Sequence, residues 1–349
     1  MLDSHFLNTY LEDGLQHSVF HAAAAALGVR DTVLASACVG EAPCPGDLPV
    51  DEHTCFDMAS LSKVLGPTMI ALRCIQDGRL RLDETIGDFF PDAPQDKKDI
   101  TVQMLMTHTG GFHPSFRLDQ MQIKPEDAVR AILDRPLIEQ PGKRPIYSCM
   151  GYILFARMLE SRFGQPLNRL AETEVFRPLG MNETGYCPGP SSRCAATEVD
   201  PVSGRPWIGI VHDENARFLR GVSGNAGVFM PLCDGIRFSE MLACMGKDYL
   251  SEHTLRQAIR NYTPGQEQHR GLGFHLAGTP DCFFSNQVPD ACFGHTGFTG
   301  TSLLVEPDSG LWVLLLTNRV YPTRDNDRLF PFRRRLHADV WREFQTMHT

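Results

Sequence analysis

The sequence has no C-x-x-C pair, no H-E-x-x-H, no excess of basic charge and no long apolar run. Each absence removes a class of function. The eleven cysteines, an odd number scattered from Cys38 to Cys292, read as reduced, mostly buried thiols rather than a disulfide framework. The thirteen histidines form no compact ligand pattern, so neither a structural nor a catalytic metal is expected, and no cofactor. A net charge of −9 argues against nucleic acid or an anionic membrane as the main partner, because both require a basic face. The most apolar early run, 21–39, is broken by Arg30 and Asp31, and no stretch elsewhere approaches a membrane span. The first twenty residues show neither a basic n-region nor an apolar h-region, so a cytoplasmic location is expected.

What is present is an ordinary globular mix: 349 residues, 42% hydrophobic and 21% charged, enough for one large domain or two modest ones. The periodicity predicts a helix over 3–15, with Phe6, Tyr10 and Leu15 on one face, and two strands over 22–39 that turn near Arg30–Asp31. The Pro/Gly-rich stretch 41–50 reads as loop. A mostly buried helix is expected over 60–77, kinked where Pro67 cannot donate to the carbonyl of Lys63. Helical segments and long loops follow: a helix from Thr101 to Gly110–Gly111, and others over 125–133, 150–163, 235–245 and 252–259. Strands are expected at 271–276, 301–305 and 311–317, the last two joined by the turn at 307–310, before a final helix with Phe332, Leu336, Val340 and Phe344 at spacing four. The resulting fold class is α+β: an antiparallel sheet built from both chain termini and flanked by helices, with an inserted mainly helical lobe. Residues 1–80 and 265–349 are expected to form the α/β lobe and 81–264 the helical one, with a site in the cleft between them.

Three short motifs carry chemistry. In Ser60-Leu61-Ser62-Lys63 the serine and lysine share a helix face. A serine hydroxyl needs a base to attack a carbonyl, and a lysine whose pKa is depressed by burial or nearby cations can serve. On its own this tetrad is weak, since S-x-x-K arises by chance at solvated helix starts. Tyr147-Ser148-Cys149 precedes a helix, and Tyr147 could relay a proton there or merely anchor the helix start. In Gly294-His295-Thr296-Gly297-Phe298 small residues let a substrate approach a strand edge. There the N–H of Phe298 could complete an oxyanion hole with that of Ser60, and His295 could bind a substrate carboxylate or carbonyl. The polar trio His212, Asp213 and Glu214 reads as loop organisation in preference to substrate contact.

Together, and in this order, these motifs resemble the serine β-lactamase and penicillin-binding-protein superfamily, in its class C-like branch of esterases, D-amino-acid peptidases and acyltransferases. The resemblance covers nearly the whole chain. FDMASLSKV is similar to the nucleophile helix, and ITVQMLMTHTGGF to the L-L-T-H-T-S-G segment. PGKRPIYSCMGYILFARMLESRFGQPL is similar to the tyrosine loop and its helix, and VFRPLGMNETGY to the PLGM-x-x-T segment. VHDENARFLRGVSGNAGVF resembles one subgroup, and GHTGFTGTSLLVEPDSGLWVLLLTN the third motif and its hairpin.

The resemblance implies Ser60 as nucleophile, Lys63 as base alone or paired with Tyr147, and the N–H groups of Ser60 and Phe298 as oxyanion hole. His295, with Thr296 and Gly297, stands where β-lactamases of this type have lysine. Two positions depart. Cys149 replaces the usual asparagine or aspartate and hydrogen-bonds poorly, and Asn225 replaces the subgroup's histidine. Cys149 and His295 both shift the expectation from β-lactam or peptide hydrolysis toward esters. The expected protein is thus an esterase or acyltransferase that passes a small ester, thioester or amide through acyl-Ser60. A β-lactamase or D-Ala-D-Ala carboxypeptidase is the alternative on the same fold, and a non-catalytic sensor a third. The partner is a small acyl substrate, and the oligomeric state is not legible.

Overall fold

The computed structural model describes residues 2–189, 193–279 and 282–348. Its strands are β1 (Ala22–Val29), β2 (Thr32–Ala42), β3 (Leu48–Pro49), β4 (Phe56–Asp57), β5 (Gly185–Tyr186), β6 (Val228–Met230), β7 (His275–Leu276), β8 (Phe293–Thr296), β9 (Ser302–Val305) and β10 (Leu311–Thr317). Seven of them form one sheet in the order β3-β2-β1-β10-β9-β8-β7. All its neighbours are antiparallel, and β1 is paired with β10 from Ala23↔Thr317 to Val29↔Leu311. The sheet therefore joins both ends of the chain, as the α+β expectation has it. The interior strand β1 reads AAAAALGV because it is covered on both faces. Ala22, Ala24 and Ala26 enter the main core, while Ala23, Ala25 and Leu27 enter a second core under the terminal helices. Alternation by two sends successive side chains to opposite layers.

The outer layer is made by Ser4–Gln16 and Leu329–His348. Asp3 caps the first helix by accepting from the Phe6 amide at 2.9 Å. Its buried stripe is Leu7, Leu11 and Gly14; Phe6, Tyr10 and Leu15 pack half-buried beside it. On the other face Leu232–Ala243 lies across the sheet, and the same core continues without a break through Met69–Gln76 and Cys149–Phe163. A small sheet, β4-β6-β5, sits below the nucleophile turn.

Several expected elements differ, each for a local reason. The helix expected over 60–77 is three pieces: a 3₁₀ turn Ala59–Leu61, a wide π-type turn Val64–Thr68 that contains Pro67, and an α-helix Met69–Gln76. Proline offers no N–H to the normal ladder, and the chain accommodates it by widening the turn. The helix from Thr101 stops at Met106, ahead of His108, whose φ of 59° is left-handed. The strand expected over 271–276 is only His275–Leu276, because the amides of Leu272 and Gly273 go to Ala258 and Met106 instead of a ladder. The stretch 41–50 ends in β3, which pairs with β2. No helix among the described residues is long and apolar enough to cross a membrane.

Gly235 lets its helix rest on the sheet: a Cβ there would lie 2.5 Å from Leu314 Cδ2 and 2.8 Å from Met230 Cε. Gly235→Val should therefore destabilise the fold by ~1–3 kcal/mol through overpacking. A urea midpoint equal to that of the unsubstituted protein would show that the interface can yield.

Candidate active site

Ser60 sits one residue after a strained position. Ala59 has φ 44°, a conformation costly for a residue with a Cβ. Asp57, buried at the end of β4, holds it there: its carboxylate accepts from the Ala59 amide at 2.8 Å and from the His212 amide at 2.7 Å. Burial raises the Asp57 pKa to about 6 against the pull of these two amides. β4 is fixed in turn by β6, by the Met58 amide on the Val228 carbonyl at 2.9 Å, and by the Val228 amide on Ser62 Oγ at 3.0 Å.

Lys63 is fully buried. Its Nζ donates to Ser60 Oγ at 3.1 Å, to the Asn225 carbonyl at 2.9 Å and to Cys149 Sγ at 3.5 Å. Three acceptors meet the three protons of an ammonium. The Tyr147 ring lies beside it, with the centroid 4.9 Å from Nζ. Burial pushes the Lys63 pKa down, but Cys149 and Tyr147 push harder the other way, and the net shift is upward. These upward pulls act only where Cys149 or Tyr147 is ionised, and burial favours the Cys149 thiol, so the charge on Lys63 is tied to the protonation of its two neighbours.

The loop carrying Tyr147 is anchored to the segment around His108. The Ile146 amide donates to the His108 carbonyl at 2.8 Å and the Ser148 amide to His108 Nδ1 at 3.0 Å. Ser148 Oγ also caps the helix Cys149–Phe163 by accepting from the Gly151 amide at 3.0 Å. Around Tyr147 stand the rings of His108, His275 and His295, at centroid distances of 4.5, 5.7 and 6.0 Å, and the Arg270 guanidinium at 5.3 Å. Arg270 is itself buried, and burial lowers its pKa to about 10. All three imidazoles are held neutral, mainly by burial and further by Arg270 and Lys63.

His295 lies on β8, and its Nδ1 is 2.8 Å from the Thr296 carbonyl. A carbonyl only accepts, so Nδ1 carries the proton. Nε2 is then a bare acceptor, buried and without a partner. In this state it can receive a hydrogen bond from a substrate but cannot donate one to a carboxylate or carbonyl. Gly297 closes the site: a Cβ there would overlap the Met58 carbonyl oxygen and the Thr301 hydroxyl. Thr299 Oγ1 donates to the Asp57 carbonyl at 2.6 Å and Thr301 Oγ1 to the Met58 carbonyl at 3.1 Å. The turn bearing Phe298 is thereby tied to the segment bearing Ser60, which brings the two expected oxyanion donors onto adjoining strands of backbone. The Phe298 ring is exposed, stacked on His212 at 5.6 Å with Arg319 against it at 4.5 Å.

The structure thus gathers Ser60, Lys63, Tyr147, Cys149 and His295, with Thr296, Gly297 and Phe298 at the adjoining edge. The polar trio organises its loop: Asp213 caps the helix Glu214–Phe218, Glu214 pairs with Arg324 at 2.9 Å, and His212 Nε2 meets Glu198 at 3.0 Å. Sequence reasoning missed five residues that shape the site: Asp57, His108, Asn225, Arg270 and His275. Asp57 and His108 lie inside segments that carried the resemblance, and Asn225 stood out as a departure. Arg270 and His275 had no sequence signal.

Comparison with known proteins agrees with the fold. The Beta-lactamase family model matches residues 7–338. A protein of Escherichia coli K12 that carries the name "Putative D-alanyl-D-alanine carboxypeptidase" is 29% identical over 301 residues, 76% of this chain and 69% of its own. Among solved structures, a penicillin-binding protein homologue from Pyrococcus abyssi superposes with TM-score 0.77 at 17% identity, over 97% of this chain and 77% of its own. EstCE1, a hydrolase with promiscuous acyltransferase activity, superposes with TM-score 0.73 at 21% identity, over 93% and 100%. At such identities the superpositions show the fold.

The buried histidines set a pH dependence. An unfolded histidine takes a proton near pH 6.5, whereas His295 in the fold takes one only well below it. Between these values the unfolded chain holds the extra proton, so stability falls as pH falls, by ~1.4 kcal/mol per pH unit for each such residue. His295→Asn should flatten the slope of unfolding free energy between pH 6.5 and 5 by about that amount. An unchanged slope would mean that His295 is protonated in the native protein.

Proposed function

The chain belongs to the Beta-lactamase family of serine hydrolases, and from that premise we propose that it is an esterase or acyltransferase working through acyl-Ser60. One observation carries the reading: a buried Lys63 whose Nζ lies 3.1 Å from Ser60 Oγ, beside the Tyr147 ring.

In the reactive form of the pair Lys63 is an ammonium and Tyr147 a phenolate, which leaves Tyr147 as the acceptor. In the first step the Ser60 proton passes to the Tyr147 phenolate oxygen while Oγ bonds to the substrate carbonyl carbon. The oxyanion forms toward the N–H groups of Ser60 and Phe298. Collapse expels the leaving oxygen, which takes the proton back from Tyr147. Water or an alcohol then repeats the sequence on acyl-Ser60 and frees the serine. Lys63 stabilises the negative charge that moves between Ser60 and Tyr147 and remains protonated throughout.

Two features favour esters. Cys149 places a weak donor where an amide could hold a substrate carbonyl, so a poorer leaving group loses support. The bare Nε2 of His295 offers no positive charge to a substrate carboxylate. The curated carboxypeptidase relative keeps D-Ala-D-Ala peptidase activity as the second reading.

p-Nitrophenyl acetate should be turned over with an acetyl adduct on Ser60 visible by intact mass, and Ser60→Ala should abolish both. Tyr147→Phe should lower kcat by ~10²–10⁴-fold, the range of a lost general base. Full activity in that variant would return the base role to Lys63. Cys149→Asn should raise hydrolysis of nitrocefin or a D-amino-acid amide relative to the ester; equal ratios in both proteins would remove the thiol from the specificity argument.

A further inference from the structure

A second cluster lies outside the set of residues that contact Lys63. His53 precedes β4, Glu183 precedes β5, and Cys233 opens the helix Leu232–Ala243. Among the described residues this is the one group of three His, Cys, Asp or Glu side chains whose ligating atoms all lie within 4.8 Å of one another. His53 Nδ1 is 2.8 Å from Glu183 Oε1 and 3.7 Å from Cys233 Sγ. The geometry points to a Zn²⁺ site formed by His53 Nδ1, Glu183 Oε1 and Cys233 Sγ.

The distances fit. Zinc bonds of ~2.0–2.3 Å in a tetrahedron place ligand atoms ~3.3–3.7 Å apart. The His53–Glu183 pair has to open by about half an ångström on that geometry, and the third pair, Glu183–Cys233, lies within 4.8 Å.

The surroundings fit as well. The nitrogen of His53 that would not bind the metal, Nε2, lies 3.7 Å from Glu52 Oε1. The oxygen of Glu183 that would not bind it, Oε2, is held by Arg193 at 2.6 Å. Metal-binding carboxylates are typically oriented by a partner such as Arg193 on the free oxygen, while Glu52 lies near Nε2 at more than hydrogen-bond distance. The backbone is also braced: the Cys233 amide donates to the Glu52 carbonyl at 3.0 Å and the Glu183 amide to Asp234 Oδ2 at 2.8 Å. Carboxylates of Asp234, Glu183 and Glu52 place negative potential at the thiol. A plain His53–Glu183 ion pair accounts for two members of the cluster but not for a thiol aimed at the same nitrogen.

One nitrogen, one sulfur and one oxygen select a borderline-soft ion over Mg²⁺ or Ca²⁺. Binding replaces the Cys233 S–H bond by S–Zn and releases that proton to solvent, and the Nδ1 proton that His53 shares with Glu183 moves by way of solvent to Nε2. The half-exposed His53 leaves the fourth position to water. The ion would join the segment leading to Ser60, the turn before β5 and the start of Leu232–Ala243. The sequence shows no compact pattern because these ligands are dispersed along the chain.

The test is zinc binding to chelator-treated protein, followed with a chromophoric competitor and by the thermal midpoint. One Zn²⁺ per chain is expected, with a higher midpoint. Affinity should fall at least tenfold in Cys233→Ser and in His53→Ala, each confirmed folded by circular dichroism. Co²⁺ should give a thiolate charge-transfer band that Cys233→Ser removes. Absence of zinc binding overturns the proposal. So does binding that survives both substitutions, or that is lost only in His295→Asn, which would place the ion at the histidines around Tyr147. The readout is independent of catalysis, so failure of the esterase reading leaves it unaffected.

Discussion

A charged amine can be buried only if acceptors surround it, and the position of Lys63 constrains much of this molecule. Its three contacts come from three separate places: the nucleophile turn, the loop before β6, and the first residue of the helix Cys149–Phe163. Losing any one would leave a buried ammonium short of a partner. The π-type turn at Val64–Thr68, the approach of Asn225 and the anchoring of Tyr147 to the His108 segment all place acceptors around one nitrogen. The same surroundings tie the charge of this amine to the protonation of Cys149 and Tyr147.

The other cationic groups follow a similar logic. Arg270 and Lys63 flank Tyr147, and no carboxylate is among the side chains found against its ring. The imidazoles between them remain neutral, so the cationic groups against the Tyr147 ring are Arg270 and Lys63.

Much of this was legible in the sequence. Ser60, Lys63, Tyr147 and His295 were found because their motifs are local: each is a short run whose spacing has a chemical meaning. The sheet was found because hydrophobic runs at both ends had no other partners. What could not be read were contacts made by backbone or by residues distant along the chain. The Asn225 carbonyl carries no side-chain signature. Arg270 and His275 matter through the fold of the sheet edge that places them against Tyr147. The charge of Lys63 is hidden for the same reason: burial is visible in a sequence pattern, whereas the groups that oppose it are not. Pro67 was correctly seen as a disturbance, but a widened turn and a simple kink look alike in one dimension.

The pairing of β1 with β10 bears on how the protein comes into being. Ala23 meets Thr317 across nearly the whole chain, so the central strand pair cannot close until almost everything between has been synthesised. Contacts of such high sequence separation slow folding. The segment bearing Ser60 emerges early, while Gly297, Phe298 and Thr301, which brace it, emerge late. A nascent chain therefore carries Ser60 for most of its synthesis without the backbone that braces it, and the turn around Ser60 is closed only as the last strands add to the sheet.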